Sequence, residues 1–286
     1  MLGKRVDRDK VTVGAVTGLS GLLREATARL QRAGVASPRV DVELLAAHVL
    51  GVPRGKLLVI DNISEGEAAR ILDLVEQRSK RVPLQYLTGV APFYGLELAV
   101  GPGVFIPRPE TELLAEWAIE AIAPMPAAEV ADLCSGSGAL ALAIAANCPN
   151  ASVRAVERSP AALEWLRRNT SGTGVEVIAG DIRDVPIPGP LDLVVANPPY
   201  VPGFSPVPDE VSHDPHDAVF AGEDGLDLIP DVIARAATLL RPGGRLGFEH
   251  DDSHDVVPLM EKDFEGVERH LDLAGRPRYT TGIRRG

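Results

Sequence analysis

The sequence is poor in three things, and each shortage narrows its function. Among 286 residues there are two cysteines, Cys134 and Cys148. They form neither a CxxC pair nor a metal-ligand spacing, which argues against a disulfide framework or a zinc site and fits a reducing compartment. No apolar stretch approaches the roughly 20 residues that span a bilayer. The opening residues mix Lys4, Arg5, Asp7, Arg8, Asp9 and Lys10 with small apolar residues and lack the continuous apolar core of a secretory signal. A cytoplasmic protein without a membrane partner is the expectation. Positive charge is also short: the formal net charge is −11, which weighs against a nucleic-acid backbone as the main partner, because phosphate binding depends on local positive charge.

What is present reads as an ordinary globular chain, 45% hydrophobic and 24% charged, long enough for two domains at about 150 residues each. Residues 1–19 carry no periodicity and read as a mobile tail. Three amphipathic helices follow. The first covers about Ser20 to Ala33, the second opens with a cap and an N1 proline at Ser37-Pro38, and the third begins at Ser64 with capping-box spacing to Glu67. A helical partner-docking domain over residues 20–82 results. In 83–104, glycines 89, 95 and 101 and the alternation of Leu96, Leu98 and Val100 predict a β-hairpin linker. Residues 105–286 then form the main domain, entered through Pro107-Arg108-Pro109.

After Pro126 strands and helices alternate, which implies a mostly parallel sheet with helices on both faces. Sheets of this kind bind ligands at the carboxyl ends of their strands, and four such ends carry chemistry. Cys134-Ser135-Gly136-Ser137-Gly138 is a glycine loop before a helix, but position 141 is Ala141 where a dinucleotide fingerprint needs glycine, and no Gly-Lys-Ser/Thr follows. Glu157 ends the next strand, where an acidic side chain can accept the ribose hydroxyls of a nucleoside. Asp181 follows the third strand and can border the adenine. Asn197-Pro198-Pro199-Tyr200 follows the apolar run Leu191 to Ala196. Its prolines stiffen the backbone and leave the Asn197 side chain and nearby carbonyls free to meet a flat polar group. Together these describe a nucleoside site without a pyrophosphate clamp, as S-adenosyl-L-methionine requires. His213 and His216, or His250 and His254, invite a metal reading, for which polar, solvated loops are the simpler account. Pro202 to Gly222 reads as a flexible rim.

With these residues in view, the sequence resembles the release-factor glutamine methyltransferases, the HemK-type enzymes. The stretches that carry the resemblance are Arg81 to Gly89, Ile106 to Glu112, the loop from Asp132 to Ala139, Asn197 to Tyr200, Gly222 to Gly225 and Arg241 to Gly244. It spans roughly residues 20 to 283. The resemblance implies a Rossmann-like, seven-stranded methyltransferase domain behind a small helical domain, and methyl transfer from S-adenosyl-L-methionine to the glutamine amide of a Gly-Gly-Gln motif in peptide chain release factors. By position, Cys134 to Gly138 and Glu157 would hold the cofactor, Asp181 and Ile182 would flank its adenine, and Asn197 to Tyr200 would hold the glutamine. Asn197 and Tyr200 are then the catalytic candidates, with Asn197 also beside the cofactor, and Arg108 and Phe105 are further candidates. Glu157 stands where aspartate is more usual, and Asp251 replaces a glycine common after the Glu-His pair. A monomer is expected. The rival readings are a methyltransferase for an exocyclic amino group of a nucleic-acid base and a nucleoside-binding protein without turnover.

Overall fold

Apolar residues spaced three and four apart in the first part of the chain, and unbroken apolar runs after it, build two kinds of core. The computed structural model describes residues 16–286, and the chain divides into two units between Thr88 and Gly89.

In the first unit Val16–Gly18 (β1) pairs antiparallel with Asn62–Ser64 (β2). Three helices, Leu19–Arg32 (α1), Pro38–Leu50 (α2) and Glu65–Ser79 (α3), bury Leu22, Leu30, Leu45, Ile71 and Val75 against one another. Asp41 and Arg78 are buried as a pair, with Arg78 Nε donating to Asp41 Oδ2 at 2.7 Å. Residues 1–15 of the expected tail lie outside the described residues, but 16–19 are no tail, since they form β1 and the start of α1. Three residues are too few for a periodicity, and their strand partner lies more than forty positions onward. The Ser64 capping box is complete: Glu67 N–H donates to Ser64 Oγ at 3.2 Å and Ser64 N–H to Glu67 Oε2 at 2.8 Å. Ser64→Ala is expected to lower stability by about 1 kcal/mol, read as a lower urea midpoint at unchanged slope. Ser37 differs from expectation, because it occupies the N-cap of α2 without a side-chain cap bond.

The predicted linker is not hairpin throughout. Leu84–Thr88 (α4) is helical, with Leu84 and Leu87 packed on the first unit's core. The hairpin proper, Val90–Phe93 (β3) and Leu96–Ala99 (β4), belongs to the second unit. Its two-residue turn, Tyr94-Gly95, has φ of 47° and 79°, the left-handed pair that matches strand twist.

The second unit continues with Thr111–Ile122 (α5), Glu129–Leu133 (β5), Ala139–Asn147 (α6), Ser152–Glu157 (β6), Pro160–Thr170 (α7), Glu176–Ala179 (β7) and Leu191–Ala196 (β8). His216–Val219 (α8), Ile229–Leu239 (α9), Leu240–Glu249 (β9), Val257–Met260 (α10), Phe264–Leu271 (β10) and Pro277–Arg284 (β11) complete it. The seven-stranded sheet has the order β10-β11-β9-β8-β5-β6-β7. The neighbours from β9 through β7 are parallel, whereas β11 runs antiparallel to both β9 and β10. One face packs Leu114, Ala118, Leu140, Ile144 and Leu166 on the sheet, and the other packs Ile229, Val232, Ala236 and Met260. Burial on both faces explains why all six residues of β8 are buried. The chain reverses its direction of travel across the sheet at β5, whose neighbours are β6 and β8, and ligand crevices form at such a switch point.

Candidate functional site

At the carboxyl end of β5 the chain turns through Cys134, Gly136 and Gly138, with φ of 64°, 54° and 88°. Glycine takes that backbone freely, whereas Cys134 holds it at a cost, as residues beside functional sites often do. Burial pushes the Cys134 thiol far above the usual range, which disfavours the thiolate form a nucleophile needs. Gly138 has a packing reason too: a Cβ there would stand 2.7 Å from Leu166 Cδ1. Behind the loop Asp132 is 1% exposed. Its Oδ2 accepts Ala141 N–H at 3.2 Å and its Oδ1 has no partner. Burial pushes this carboxyl up to about 7.

The end of β6 supplies Glu157. Its Oε2 accepts Gly136 N–H at 2.9 Å, and its Oε1 accepts Arg158 and Ser159 N–H at 2.8 and 2.7 Å. The carboxylate thus joins two loops from neighbouring strands. Asp181, after β7, is clamped by Arg183, whose Nε and Nη2 donate to it at 2.9 and 2.7 Å. Those bonds to Arg183 hold its carboxyl well below the usual range.

The end of β8 presents Asn197, whose Nδ2 donates to Thr111 Oγ1 at 3.1 Å. Tyr200 turns its hydroxyl the other way and donates to Glu249 Oε2 at 3.3 Å. Both phenol and carboxyl are raised by burial, Glu249 to about 7.

The ends of β5, β6, β7 and β8 border one cavity of about 330 Å³, which Glu249 and Arg183 do not line. Of the residues singled out by sequence, Phe105, Arg108, Cys134 to Ser137, Glu157, Asp181, Ile182 and Asn197 to Tyr200 line it, whereas Gly138 does not and acts through its packing on Leu166. Arg108 lies 4.8 Å over the Phe105 ring and bonds Asp214, a side chain buried in the segment read as a flexible rim. That rim is tied down. Asp214 also accepts Ile106 N–H at 3.3 Å, and Val201 bridges to Phe220. Of the two histidine pairs, His213 and His216 are exposed, as expected, whereas the other pair is not. His250 and His254 are buried, not solvated, and contact Thr280 Oγ1 and the Asp224 carbonyl oxygen, each at 2.8 Å. Among the described residues no cluster of three or more His, Cys, Asp or Glu is arranged to hold a metal, and no helix is long and apolar enough to cross a membrane.

Sequence reasoning passed over Thr111, Asp132, Glu249 and Arg278. Thr111 and Asp132 sat inside stretches already noted, but their roles depend on partners that only the fold supplies.

Comparison with known proteins agrees with this layout. Residues 21–89 match the PrmC N-terminal domain and residues 98–212 the methyltransferase small domain. The chain is 49% identical to a release factor glutamine methyltransferase of Mycolicibacterium smegmatis, across 94% of this chain and 99% of the relative. A second, from Streptomyces coelicolor, is 46% identical across 90% of this chain and 95% of its own. A T. thermophilus 16S rRNA N2 methyltransferase, solved with AdoMet and guanosine, aligns at a TM-score of 0.52 and 24% identity, covering 68% of this chain and 50% of the other. That likeness bears on the fold alone. A loop-and-carboxylate cradle at the switch point, an Asn-Pro-Pro-Tyr turn beside it and near-full-length identity of this size place the chain in the release factor glutamine methyltransferase family.

Proposed function

We propose that the chain transfers a methyl group from S-adenosyl-L-methionine to the side-chain amide nitrogen of the glutamine in the Gly-Gly-Gln motif of peptide chain release factors, the C–S bond breaking to leave S-adenosyl-L-homocysteine and the amide nitrogen giving up one proton to water. The observation that carries this reading is Asn197: its NH2 is engaged by Thr111, so its Oδ1 remains for an incoming N–H at the cavity wall. Family membership supports the release factor as substrate, and a cytoplasmic monomer suits that task.

The residues present fit the cofactor. The buried Asp132 Oδ1 lacks a partner and suits an ammonium group, and the glycine loop leaves room for close approach. Bound there, the cofactor supplies a methyl group already activated on a cationic sulfur. Glu157 would meet the ribose, and Asp181 and Ile182 would flank the adenine. An amide nitrogen is a weak nucleophile, so the protein's task is alignment, which contributes about 7–11 kcal/mol in favourable cases. Asn197 Oδ1 and the Pro198 carbonyl would accept the two amide N–H bonds, and the Tyr200 ring would pack on the amide plane.

The turn is held from behind. A Cβ at Gly225, where φ is 81°, would stand 2.3 Å from the Tyr200 carbonyl oxygen. Gly225→Ala is expected to cost about 1–3 kcal/mol of stability by overpacking and to lower methyl transfer more than cofactor binding, measured by thermal unfolding and calorimetry. The reading as a whole is tested with labelled S-adenosyl-L-methionine and either a release factor or a nucleic acid. Label on the glutamine is expected. Label on a base amino group would replace the substrate, and no label on either would leave a nucleoside-binding protein.

A further inference from the structure

Behind Asn197 lies a buried acid that the methyl transfer described above does not use. Glu249, the last residue of β9, is 1% exposed. Its Oε2 accepts the Tyr200 hydroxyl, while its Oε1 takes no hydrogen bond, which is uncommon for a buried carboxylate oxygen. The hydroxyl that stands beside this carboxyl is that of Thr111. Thr111 is 2% exposed, opens α5, and accepts Asn197 Nδ2 at 3.1 Å. The loop after β8, the start of α5 and the end of β9 therefore meet along one line, Asn197, Thr111, Glu249 and Tyr200. Both ends of that line belong to the Asn-Pro-Pro-Tyr turn.

We propose that Thr111 and Glu249 are positioning residues that decide which end of the Asn197 amide faces the substrate. A hydroxyl carries one hydrogen, and an ionised carboxylate can only accept. Ionised Glu249 draws the Thr111 hydrogen toward its carboxylate, and the Thr111 oxygen is left as an acceptor. Asn197 must then turn its NH2 toward Thr111, which leaves Oδ1 in the cavity. If Glu249 is protonated it becomes a donor. The Thr111 hydrogen can then point at Asn197, and the amide can turn over and present N–H groups to the substrate's own N–H groups. The inference rests on Asn197 being the acceptor for the substrate amide.

The groups around Glu249 set the direction of a pH effect. Burial raises its carboxyl to about 7; Thr111, Arg278 on β11 and Tyr200 after β8 oppose the rise, and Glu110 before α5 adds to it. The ionised form prevails above that value, so the competent arrangement is lost as pH falls through it. Asp132 titrates in the same range, but it faces the cofactor, so measurement at saturating cofactor removes its contribution.

The experiment measures kcat at saturating cofactor and substrate, across roughly pH 6 to 9, for the native protein, Thr111→Val, Thr111→Ser, Glu249→Gln and Asn197→Ala, with cofactor affinity by calorimetry for each. The native kcat should fall on the acid side of about 7. Glu249→Gln should be about tenfold slower at high pH, the upper end for one net hydrogen bond, and should lose the acid limb. Thr111→Val should be slowed similarly while Thr111→Ser retains most of the rate, and cofactor affinity should hold throughout. A native-like acid limb in Glu249→Gln, or full turnover in Thr111→Val while Asn197→Ala is inactive, would overturn the relay and leave the function standing. Full turnover in Asn197→Ala would overturn both.

Discussion

Asn197→Ala lowers methyl transfer by on the order of 10²- to 10³-fold while the protein still binds S-adenosyl-L-methionine: this is the expected result, with a loss of the size seen when one prearranged hydrogen-bonding group is removed from a reacting centre. The substitution deletes the Oδ1 acceptor and the Nδ2 bond to Thr111 together. The carbonyl of Pro198 alone would remain for the substrate amide, which could then rotate about one bond and lose the line of attack. Binding of the cofactor should change little, because the groups assigned to ribose and ammonium, Glu157 and Asp132, stand on β6 and β5 and take no bond from Asn197. Single-turnover rates with a release factor, read beside calorimetric affinity for the cofactor, separate the two effects. Native turnover in the variant would remove Asn197 from the reaction.

The two walls of the cavity were readable in the sequence because both depend on local pattern. Six consecutive buried residues in β8 appear as an apolar run, and the polar tetrapeptide after it falls at the strand's carboxyl end by that fact alone. The same holds for β5 and its glycine loop, and for β6 and Glu157. What stayed hidden depends on distance along the chain. Thr111 meets Asn197 across 86 positions, and Tyr200 meets Glu249 across 49. A threonine after a proline-rich entry reads as the start of a helix, and a glutamate before a histidine reads as the end of a strand. Neither carries a local sign of its partner. The rim misled for a related reason: its prolines and acids look solvated, yet Asp214 is buried against Arg108 and the Ile106 N–H, more than a hundred residues back. Gly138 shows the converse, a residue correctly noted for the loop whose reason is the Leu166 side chain behind it.

Glu157→Ala is expected to weaken the cofactor by roughly 150-fold, the equivalent of about 3 kcal/mol for one strong hydrogen bond to a charged acceptor. The carboxylate has about four acceptor positions, and three are already taken by the N–H groups of Gly136, Arg158 and Ser159. It therefore has room for one ribose hydroxyl, and engaging the second would require a backbone N–H to let go. Oε2, bonded only to Gly136, is the oxygen with capacity to spare. The alanine variant loses the ribose contact and also the bond that ties the glycine loop to β6, so the loop should loosen, which is why the expected loss sits at the upper end for a single contact. Glu157→Gln separates these contributions, since its amide oxygen still accepts from Arg158 and Ser159, whereas an NH2 facing Gly136 N–H sets donor against donor. Calorimetry should place Glu157→Gln between the native protein and Glu157→Ala, with hydrogen exchange at Gly136 faster in both variants. Unchanged affinity in Glu157→Ala would assign the carboxylate to loop support alone, and the ribose would then need another acceptor in the cavity wall.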